Sequence, residues 1–320
     1  MKIRFLLFCI LPLLAIICSS WGFFGHKTIN HNAIFILPKG MIGFYKNNIN
    51  YLTEHAVDPD KRRYTDSLEG SRHFLDADHY GKFPFDSIPK QWNLATEKYT
   101  ARTLNKYGTV PWTIQRNYYK LVQAFKDRDS IKILKYSADL GHYVADAHVP
   151  LHMTSNYNGQ LTNQIGIHAF WESRLPELFA EHYNFFTGKA VYIDDPLKAA
   201  WKICRNTYTC LDSVLVMERK LKSFPADQRF TFVKKNNKIV KAYSEPYASA
   251  YHNLLNGMVE KQMRASILAV GSYWFSAWVD AGQPNLKGMI KRELSEEEKM
   301  KEALEEYRFQ NGKILGRADL

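Results

Sequence analysis

The sequence has little cysteine, little strand-like alternation and no repetition. Four cysteines occur among 320 residues, and apolar residues rarely alternate with polar ones over the length of a strand. No internal repeat or low-complexity tract is present. These absences exclude a repeat array and a mainly β fold. The composition, with 46% hydrophobic and 14% aromatic residues, is typical of a protein with a packed globular core and argues against disorder.

The first twenty residues (1–20) have the pattern of a secretory signal peptide. A basic start at Lys2 and Arg4 precedes an apolar stretch, 5–18, that ends in small residues. The stretch is shorter than a typical membrane-spanning helix and lacks a basic stop-transfer flank. We therefore expect export to the periplasm or the medium, with Trp21 as the mature N-terminus. A lipoprotein anchor ranks second, because the residues before Cys18 depart from the usual small-residue pattern.

Signal cleavage would leave only two cysteines, Cys204 and Cys210. On one continuous helix they lie about 9 Å apart along the axis, too far for a disulfide. A bridge therefore requires a break near Asn206 and Thr207, which the sequence leaves open. A cysteine zinc site is disfavoured, because no second pair is nearby.

Helical periodicity dominates the remaining sequence and predicts an all-α protein. We expect helices over 119–147, with a break near 127–130, over 196–224 and over 246–279. The basic segment 231–245 predicts an exposed loop or a small hairpin.

Gly282-Gln283-Pro284 marks the predicted end of a single compact domain, 21–285. Residues 286–320 are predicted to form a charged helical tail, in which Ser295 and Glu298 have the spacing of a capping box. The tail holds eight basic and eight acidic side chains. Such a balance is typical of a solvated helix, so we expect the tail to be peripheral.

Basic residues outnumber acidic ones, with 43 lysines and arginines against 32 aspartates and glutamates. The formal charge of +11 lies mostly in 21–285, because the tail is balanced. Such a surface favours an anionic partner, namely nucleic acid, a nucleotide or a phospholipid headgroup. The alternative is a basic protein that its charge merely keeps soluble.

Metal-type side chains recur at helical spacing up to residue 172. His142-x3-Asp146 and His168-x3-Glu172 each place an imidazole and a carboxylate one turn apart on a helix face. A proline-containing turn then lets His152 fold back toward the first pair. Imidazole and carboxylate ligands together suit zinc, with positions left for water and substrate. Six other histidines have the ordinary interpretation of structural or surface residues: His31, His55, His79, His148, His182 and His252.

The whole set resembles one superfamily, which joins bacterial zinc-dependent phospholipases C to single-strand-specific zinc nucleases of the S-one/P-one type. The motifs that carry the resemblance run from Trp21 to Glu172: Trp21-Gly-Phe-Phe-Gly-His26, Asp58, His73-Phe-Leu-Asp76, His142-x3-Asp146-x5-His152 and His168-x3-Glu172. A looser likeness continues to about Pro284. The resemblance implies a single mainly helical domain with a zinc cluster at the bottom of a cleft between helices.

The resemblance also implies three zinc ions. The first ion would be held by Asp58, His73, His142 and Asp146. Asp146 would bridge to the second ion, which His26 and the α-amino and carbonyl groups of Trp21 would also bind. The third ion would be held by His152, His168 and Glu172. Signal cleavage would therefore be part of site assembly. Asp60 is a rival for Asp58, and Asp58 is preferred because its fifteen-residue spacing to His73 matches the nuclease branch without a gap.

The implied reaction is hydrolysis of a phosphodiester through a zinc-activated hydroxide, which zinc makes available near neutral pH. Asp58 and Asp146 would hold the ions that act on the phosphate. Lys61 would help neutralise that phosphate, although an ordinary surface lysine in a basic run is the alternative. Three residues are assigned to substrate binding: Phe74, Asp76 and Asn158.

The two branches of the superfamily leave conflicting marks on substrate choice. The opening 21–26 has the nuclease form, and Phe74 with Asp76 resembles a base-binding pair, although phospholipases carry a similar motif. The stretch 163–168 and Glu172 lean toward phospholipase C, and the loop at 158–160 is shorter than in nucleases. We expect an exported zinc-dependent phosphodiester hydrolase, with single-stranded nucleic acid or 3′-nucleotides slightly favoured over phospholipid headgroups. A non-catalytic exported zinc-binding protein is disfavoured, because structural zinc sites are normally closed. No obligate protein partner is implied.

Overall fold

The computed structural model describes residues 22–235, 238–290 and 292–317. The predicted signal peptide and Trp21 lie outside them. Within the described residues the protein is all-α, as the periodicity predicts, with a single two-stranded sheet. The α-helices are, in chain order, α1 Phe23–Ala33, α2 Lys39–Asn47, α3 Ile49–Glu54, α4 Asp58–Arg62, α5 Pro84–Ser87, α6 Trp92–Tyr99, α7 Ala101–Tyr107, α8 Val110–Lys126, α9 Ser130–Asp146, α10 Ile167–Ala169, α11 Leu175–Phe179, α12 Pro196–Tyr208, α13 Leu211–Arg219, α14 Glu245–Leu254, α15 Met258–Asp280 and α16 Glu296–Asn311. None of these helices is both long enough and apolar enough to cross a membrane.

The core lies between the longest helices. α8 packs on α9, α12 and α15, and α1 packs on α9 and α15. Trp112 of α8 and Trp274 of α15 are fully buried there. Trp274 donates its indole N–H to the carbonyl oxygen of Ser137 on α9 at 2.9 Å, which satisfies its polar group inside the core. α15 therefore packs against both α1 and α9, which also contact each other.

The break predicted near 127–130 is confirmed. Arg128 has a φ of 54°, which ends the right-handed run of α8, and Asp129 caps α9 by accepting from the backbone N–H of Lys132. The basic segment is a hairpin, in which β1 (Phe230–Lys235) pairs antiparallel with β2 (Lys238–Tyr243).

The two other long helices are each divided. The segment 196–224 breaks at Thr209 and Cys210, later than the break that a disulfide would require, and both Cys204 and Cys210 are free thiols. The segment 246–279 breaks before α15, where Asn256 and Gly257 have φ values of 49° and 74°. Left-handed residues cannot continue a right-handed helix, which explains the second break. At the first break Thr209 and Cys210 both keep right-handed backbone angles, so left-handed backbone does not account for it.

The tail contains the predicted helix, but the position of this helix in the fold differs from the expectation. Ser295 and Glu298 form a reciprocal capping box at the start of α16. The expectation of a peripheral tail is wrong, because α16 packs on α4 and residues beyond it line the main pocket. The division into a domain 21–285 and a separate tail stays a prediction.

Candidate metal centre

The first group of potential metal ligands joins α1 to α9. His142 and Asp146 lie one turn apart on α9 and are buried, with His142 Nε2 3.2 Å from Asp146 Oδ2. His26 of α1 stacks its ring on His142, with the centroids 4.0 Å apart. Its Nε2 lies 3.4 Å from Asp146 Oδ1. The close approach of the two helices depends on Gly141, which faces a buried asparagine of α1.

A second group adjoins the first. His73 Nδ1 lies 2.9 Å from Asp146 Oδ2 and 3.0 Å from His142 Nε2. Asp60 Oδ1 completes the group, at 3.7 Å from His73 Nδ1 and 3.9 Å from His142 Nε2. The two carboxylate oxygens of Asp146 therefore face different groups, as a bridging ligand requires.

The geometry favours Asp60 over Asp58 as the carboxylate of this second group. Asp58 turns away and accepts a hydrogen bond from His55 Nδ1 at 2.6 Å. Both carboxylates lie on the short helix α4, and residues two apart on a helix face opposite sides. Only one of them can face the cluster, and the structure brings Asp60 there.

The third group combines His152, His168 and Glu172. Glu172 Oε2 lies 2.7 Å from His168 Nε2 and 3.3 Å from His152 Nε2. The other oxygen, Oε1, lies 3.5 Å from His26 Nε2 and links this group to the first. Glu172 lies in a π-helical turn, Phe170–Arg174, a rare geometry that is frequent at functional sites.

Backbone carbonyls orient the imidazoles. His142 donates from Nδ1 to the carbonyl oxygen of Ala56 at 2.8 Å, and His152 does the same to that of His73 at 2.7 Å. Buried Glu69 lies 3.6 Å from His73 Nε2 and also accepts from Tyr143. Such outer contacts fix which ring nitrogen faces a metal. Glu69 was not identified from the sequence, although its four-residue spacing to His73 is a usable signal.

The donor set fits zinc. Because His142 and His152 donate from Nδ1, their Nε2 atoms face carboxylate oxygens 3.2 and 3.3 Å away. Either a proton or a metal ion must lie between a ring nitrogen and a carboxylate oxygen at this distance. Ligand atoms on a tetrahedral zinc lie roughly 3.3 Å apart, given bond lengths of about 2.0–2.1 Å. Three such groups, each with a carboxylate, are present among the described residues.

Electrostatics keep the central carboxylate ionised. Burial alone would raise the pKa of the Asp146 carboxyl, but the neighbouring His142 and His152 outweigh burial and hold that pKa well below its usual value. Burial likewise disfavours protonation of His73, yet Asp146 and Glu69 raise its pKa to about 10. A metal must therefore displace protons when it binds. His148 behaves differently, because burial lowers its pKa to about 4 and its ring bonds only the backbone carbonyl oxygen of Val144 within α9.

The groups open into a cavity of about 130 Å³. Gly22, the first described residue, lines this cavity, and a Cβ there would lie 3.0 Å from Glu172 Oε1. Arg63 also lines it, whereas Lys61 does not: Lys61 Nζ lies 3.1 Å from Glu306 of α16. In the basic run 61–63 it is therefore Arg63 that lines the cavity, and not Lys61, which the sequence analysis selected.

A compartment for a cation adjoins the cavity. The Arg317 Cζ lies 4.0 Å from the ring centroid of Phe74 and 3.5 Å from that of Tyr157, and Arg317 Nη1 lies 2.8 and 2.9 Å from the two oxygens of Asp76. We call Phe74, Tyr157 and Asp76 the cation clamp. Asn158 is not part of it, because its buried side chain accepts from the backbone N–H of Gly166 and shapes the loop. Neither Tyr157 nor Arg317 carries a sequence signal that could have identified it.

Buried imidazole and carboxylate groups that open into a pocket form a candidate metal centre of the kind that metal-dependent hydrolases use. The chain belongs to the zinc-dependent phospholipase C family, whose profile matches residues 25–231. It is thus a member of the superfamily shared with the P-one nucleases, and its activity is the zinc-dependent hydrolysis of phosphodiester bonds. No curated protein matches the chain at a significant level.

Proposed function

We propose that the protein is an exported phospholipase C that holds three zinc ions and hydrolyses phospholipids with a cationic headgroup. The family supports a phospholipid substrate and does not support the nucleic acid that the sequence analysis favoured. The cation clamp carries the choice of headgroup. Two aromatic faces and a buried carboxylate are the surroundings that a quaternary ammonium group prefers.

The position of the clamp suits such a substrate. Phe74 lines the same cavity as His73 and His152, and two members of the clamp, Phe74 and Asp76, follow His73 directly along the chain. A headgroup amine in the clamp would place its phosphate beside the candidate ligands. In the reaction a water oxygen forms a bond to phosphorus, the bond from phosphorus to the glycerol oxygen breaks, and that oxygen takes a proton.

Each ligand group has a proposed part in this reaction. Bound zinc would supply Lewis acidity toward the phosphate oxygens and would lower the pKa of a coordinated water to about 7. Asp146 would hold two ions together, and Glu172 with His152 and His168 would hold the third. Arg63 at the cavity wall would add positive charge next to the phosphate. We assign the remaining ligand to the α-amino group of Trp21, because the adjacent Gly22 lies against Glu172.

Hydrolysis of single-stranded nucleic acid is the second candidate. The pair Phe74 and Asp76 favours it, because an aromatic face and an acceptor at its edge can hold a base. In the structure, however, Arg317 covers the face of Phe74. A base would therefore have to displace the same cation that a headgroup would.

The test compares substrates on the purified mature protein loaded with zinc. Vesicles of phosphatidylcholine, single-stranded DNA and a 3′-nucleotide are incubated side by side, and the products are quantified. We expect diacylglycerol and phosphocholine to form, and chelation to abolish their formation. Turnover of nucleic acid alone would overturn the phospholipid assignment.

Two histidine variants provide a matched control. His168→Ala removes a candidate ligand, and we expect it to lose both zinc and activity. His182→Ala removes an imidazole that is 75% exposed beside Glu181, and we expect it to keep both. Equal activity in the two variants would contradict the assignment of the third ligand group.

A further inference from the structure

The segment 309–317 follows the main part of α16 and enters the cavity of the candidate metal centre. Phe309, Ile314 and Arg317 line this cavity together with His73, His152 and other candidate ligands. We propose that this segment is an intramolecular competitor of the substrate, which occupies the cation clamp and must leave it before a headgroup can bind. The proposal rests on the proposed function of the clamp as a headgroup site.

Arg317 makes every contact that the clamp offers to a cation. Its guanidinium group lies between the rings of Phe74 and Tyr157 and binds both oxygens of Asp76. Asp76 is only 5% exposed. A buried carboxylate without a cationic partner is costly, so the clamp needs either Arg317 or a cation of another molecule. Because both bind the same three groups, their binding is mutually exclusive.

Backbone hydrogen bonds and aromatic contacts attach the segment to the domain. The backbone N–H of Leu315 donates to the carbonyl oxygen of Arg63 at 2.8 Å, and Arg63 Nη2 donates to that of Arg317 at 2.6 Å. Gly316 has a φ of 87°, a left-handed turn between these two contacts that glycine tolerates. Phe309 packs edge-on against Tyr64.

The part of α16 that precedes the segment is held by an exposed ion pair. Lys61 and Glu306 have side chains that are 24% and 46% exposed, and such pairs stabilise a structure little. The three residues 313–315 lie outside the helical hydrogen-bonding pattern of α16, and Ile314 is half-buried. The segment therefore combines strong occupation of the clamp by one side chain with a weak attachment elsewhere, as a displaceable competitor requires.

The opposite role would be a permanent wall of the binding site. In that case Arg317 would help to bind the substrate, and its removal would weaken binding. A competitor predicts the reverse sign, because removal of Arg317 leaves Asp76 and the two rings open to the headgroup. The sign of the effect on KM therefore separates the two roles.

The experiment uses full-length zinc-loaded protein with Arg317→Ala, Arg317→Gln and the control Arg308→Ala, which removes an exposed arginine of α16. KM and kcat are measured with p-nitrophenylphosphorylcholine and, as a phosphodiester without a cation, with bis(p-nitrophenyl) phosphate. Both Arg317 variants should lower KM for the choline substrate at least threefold with kcat unchanged. KM for the diester that lacks a cation should change much less, and the control should equal the unmodified protein. Thermal melting checks that all variants are folded.

An unchanged or raised KM for the choline substrate in the Arg317 variants would overturn the proposal. Calorimetric binding of phosphocholine separates this outcome from a failure of the proposed function. If no variant hydrolyses any phosphodiester, the proposed function fails. Tighter binding of phosphocholine by Arg317→Ala than by Arg308→Ala would then still support occupation of the clamp, and equal binding would overturn it.

Discussion

Substitution of Gly141 by alanine tests how tightly α1 and α9 must approach to build the metal centre. A Cβ at position 141 would lie 2.0 Å from Asn30 Oδ1 and 2.8 Å from its Cγ. Real Cβ atoms essentially never approach another heavy atom closer than 3.0 Å, so the asparagine must retreat by about 1 Å. Asn30 is fully buried and cannot retreat without cost, because its Nδ2 donates to the carbonyl oxygens of Leu52 and Ala138 at 3.3 and 3.2 Å.

The expected loss of stability follows from three contributions. Overpacking of a well-packed interior costs about 1–3 kcal/mol. Weakening of the two amide hydrogen bonds of Asn30 adds about 1 kcal/mol each. The better helix propensity of alanine returns about 0.8–1.0 kcal/mol. We therefore expect Gly141→Ala to lower the free energy of unfolding by about 2–4 kcal/mol.

The same substitution should disturb the site. Asn30 lies one turn after His26 on α1, and Gly141 immediately precedes His142 on α9. Separation of the helices would part the two stacked imidazoles, so the variant should also bind less zinc. Thermal melting of the metal-free protein measures the first effect, and mass spectrometry of the reconstituted protein measures the second. Gly43→Ala is the control, because a Cβ at position 43 of α2 meets nothing within 4 Å and should stabilise by about 0.5–1 kcal/mol. A Gly141→Ala protein that melts no lower than the unmodified one would refute this reasoning.

Three further predictions concern the ligands and the tail. Asp60→Asn should lose zinc and lower kcat by more than about 10–100-fold, which is the loss expected even when an outer contact of a metal ligand is removed. Asp58→Asn should keep its zinc. The reverse result would restore the preference for Asp58. One residue retained before Trp21 should remove most activity and about one zinc per chain, and unchanged turnover would exclude the α-amino group as a ligand. Hydrogen bonds from Arg292, then from the Ser295 backbone, lower the pKa of Glu298 to about 2. A carboxyl group with a lowered pKa stabilises the folded state when the pH is above its ordinary pKa of about 4.5. That stabilisation is lost as the pH falls toward 2, so hydrogen-exchange protection of the first turn of α16 should decrease over that range. Protection that stays constant there would contradict the assigned hydrogen bonds.

The sequence predicts those parts of the site that a single helix determines. His142 and Asp146 share one helix, and the four-residue period places both on one face whatever the surrounding fold. The break between α8 and α9 is predicted for the same reason, because Asp129 and Ser130 are typical helix starts. Local signals of this kind need no knowledge of distant contacts.

The choice between Asp58 and Asp60 depends on more than local sequence. The two side chains face opposite sides of α4, and the rotation of that short helix is set by its packing on neighbouring elements. The spacing of fifteen residues to His73 contains no information about this rotation. The position of the tail is similarly beyond local sequence, since Arg317 and Asp76 are 241 residues apart.

Much of the positive charge near the pocket, which first favoured nucleic acid, is paired with side chains of the protein itself. Lys61 pairs with Glu306, Arg62 pairs with Asp139 and Glu69, and Arg63 holds the backbone of Arg317. The cavity has a volume of about 130 Å³ while Arg317 lies in the clamp. Single strands are held over several nucleotides on aromatic platforms, which such a cavity cannot provide. The paired charges and the small cavity are both compatible with a phosphate that carries one small headgroup, so together they favour the lipid. If the segment 309–317 left the pocket, Arg63 would lose its backbone partner and the cavity would become larger. Activity on single-stranded DNA that appeared only in the Arg317→Ala variant would therefore reopen the choice of substrate.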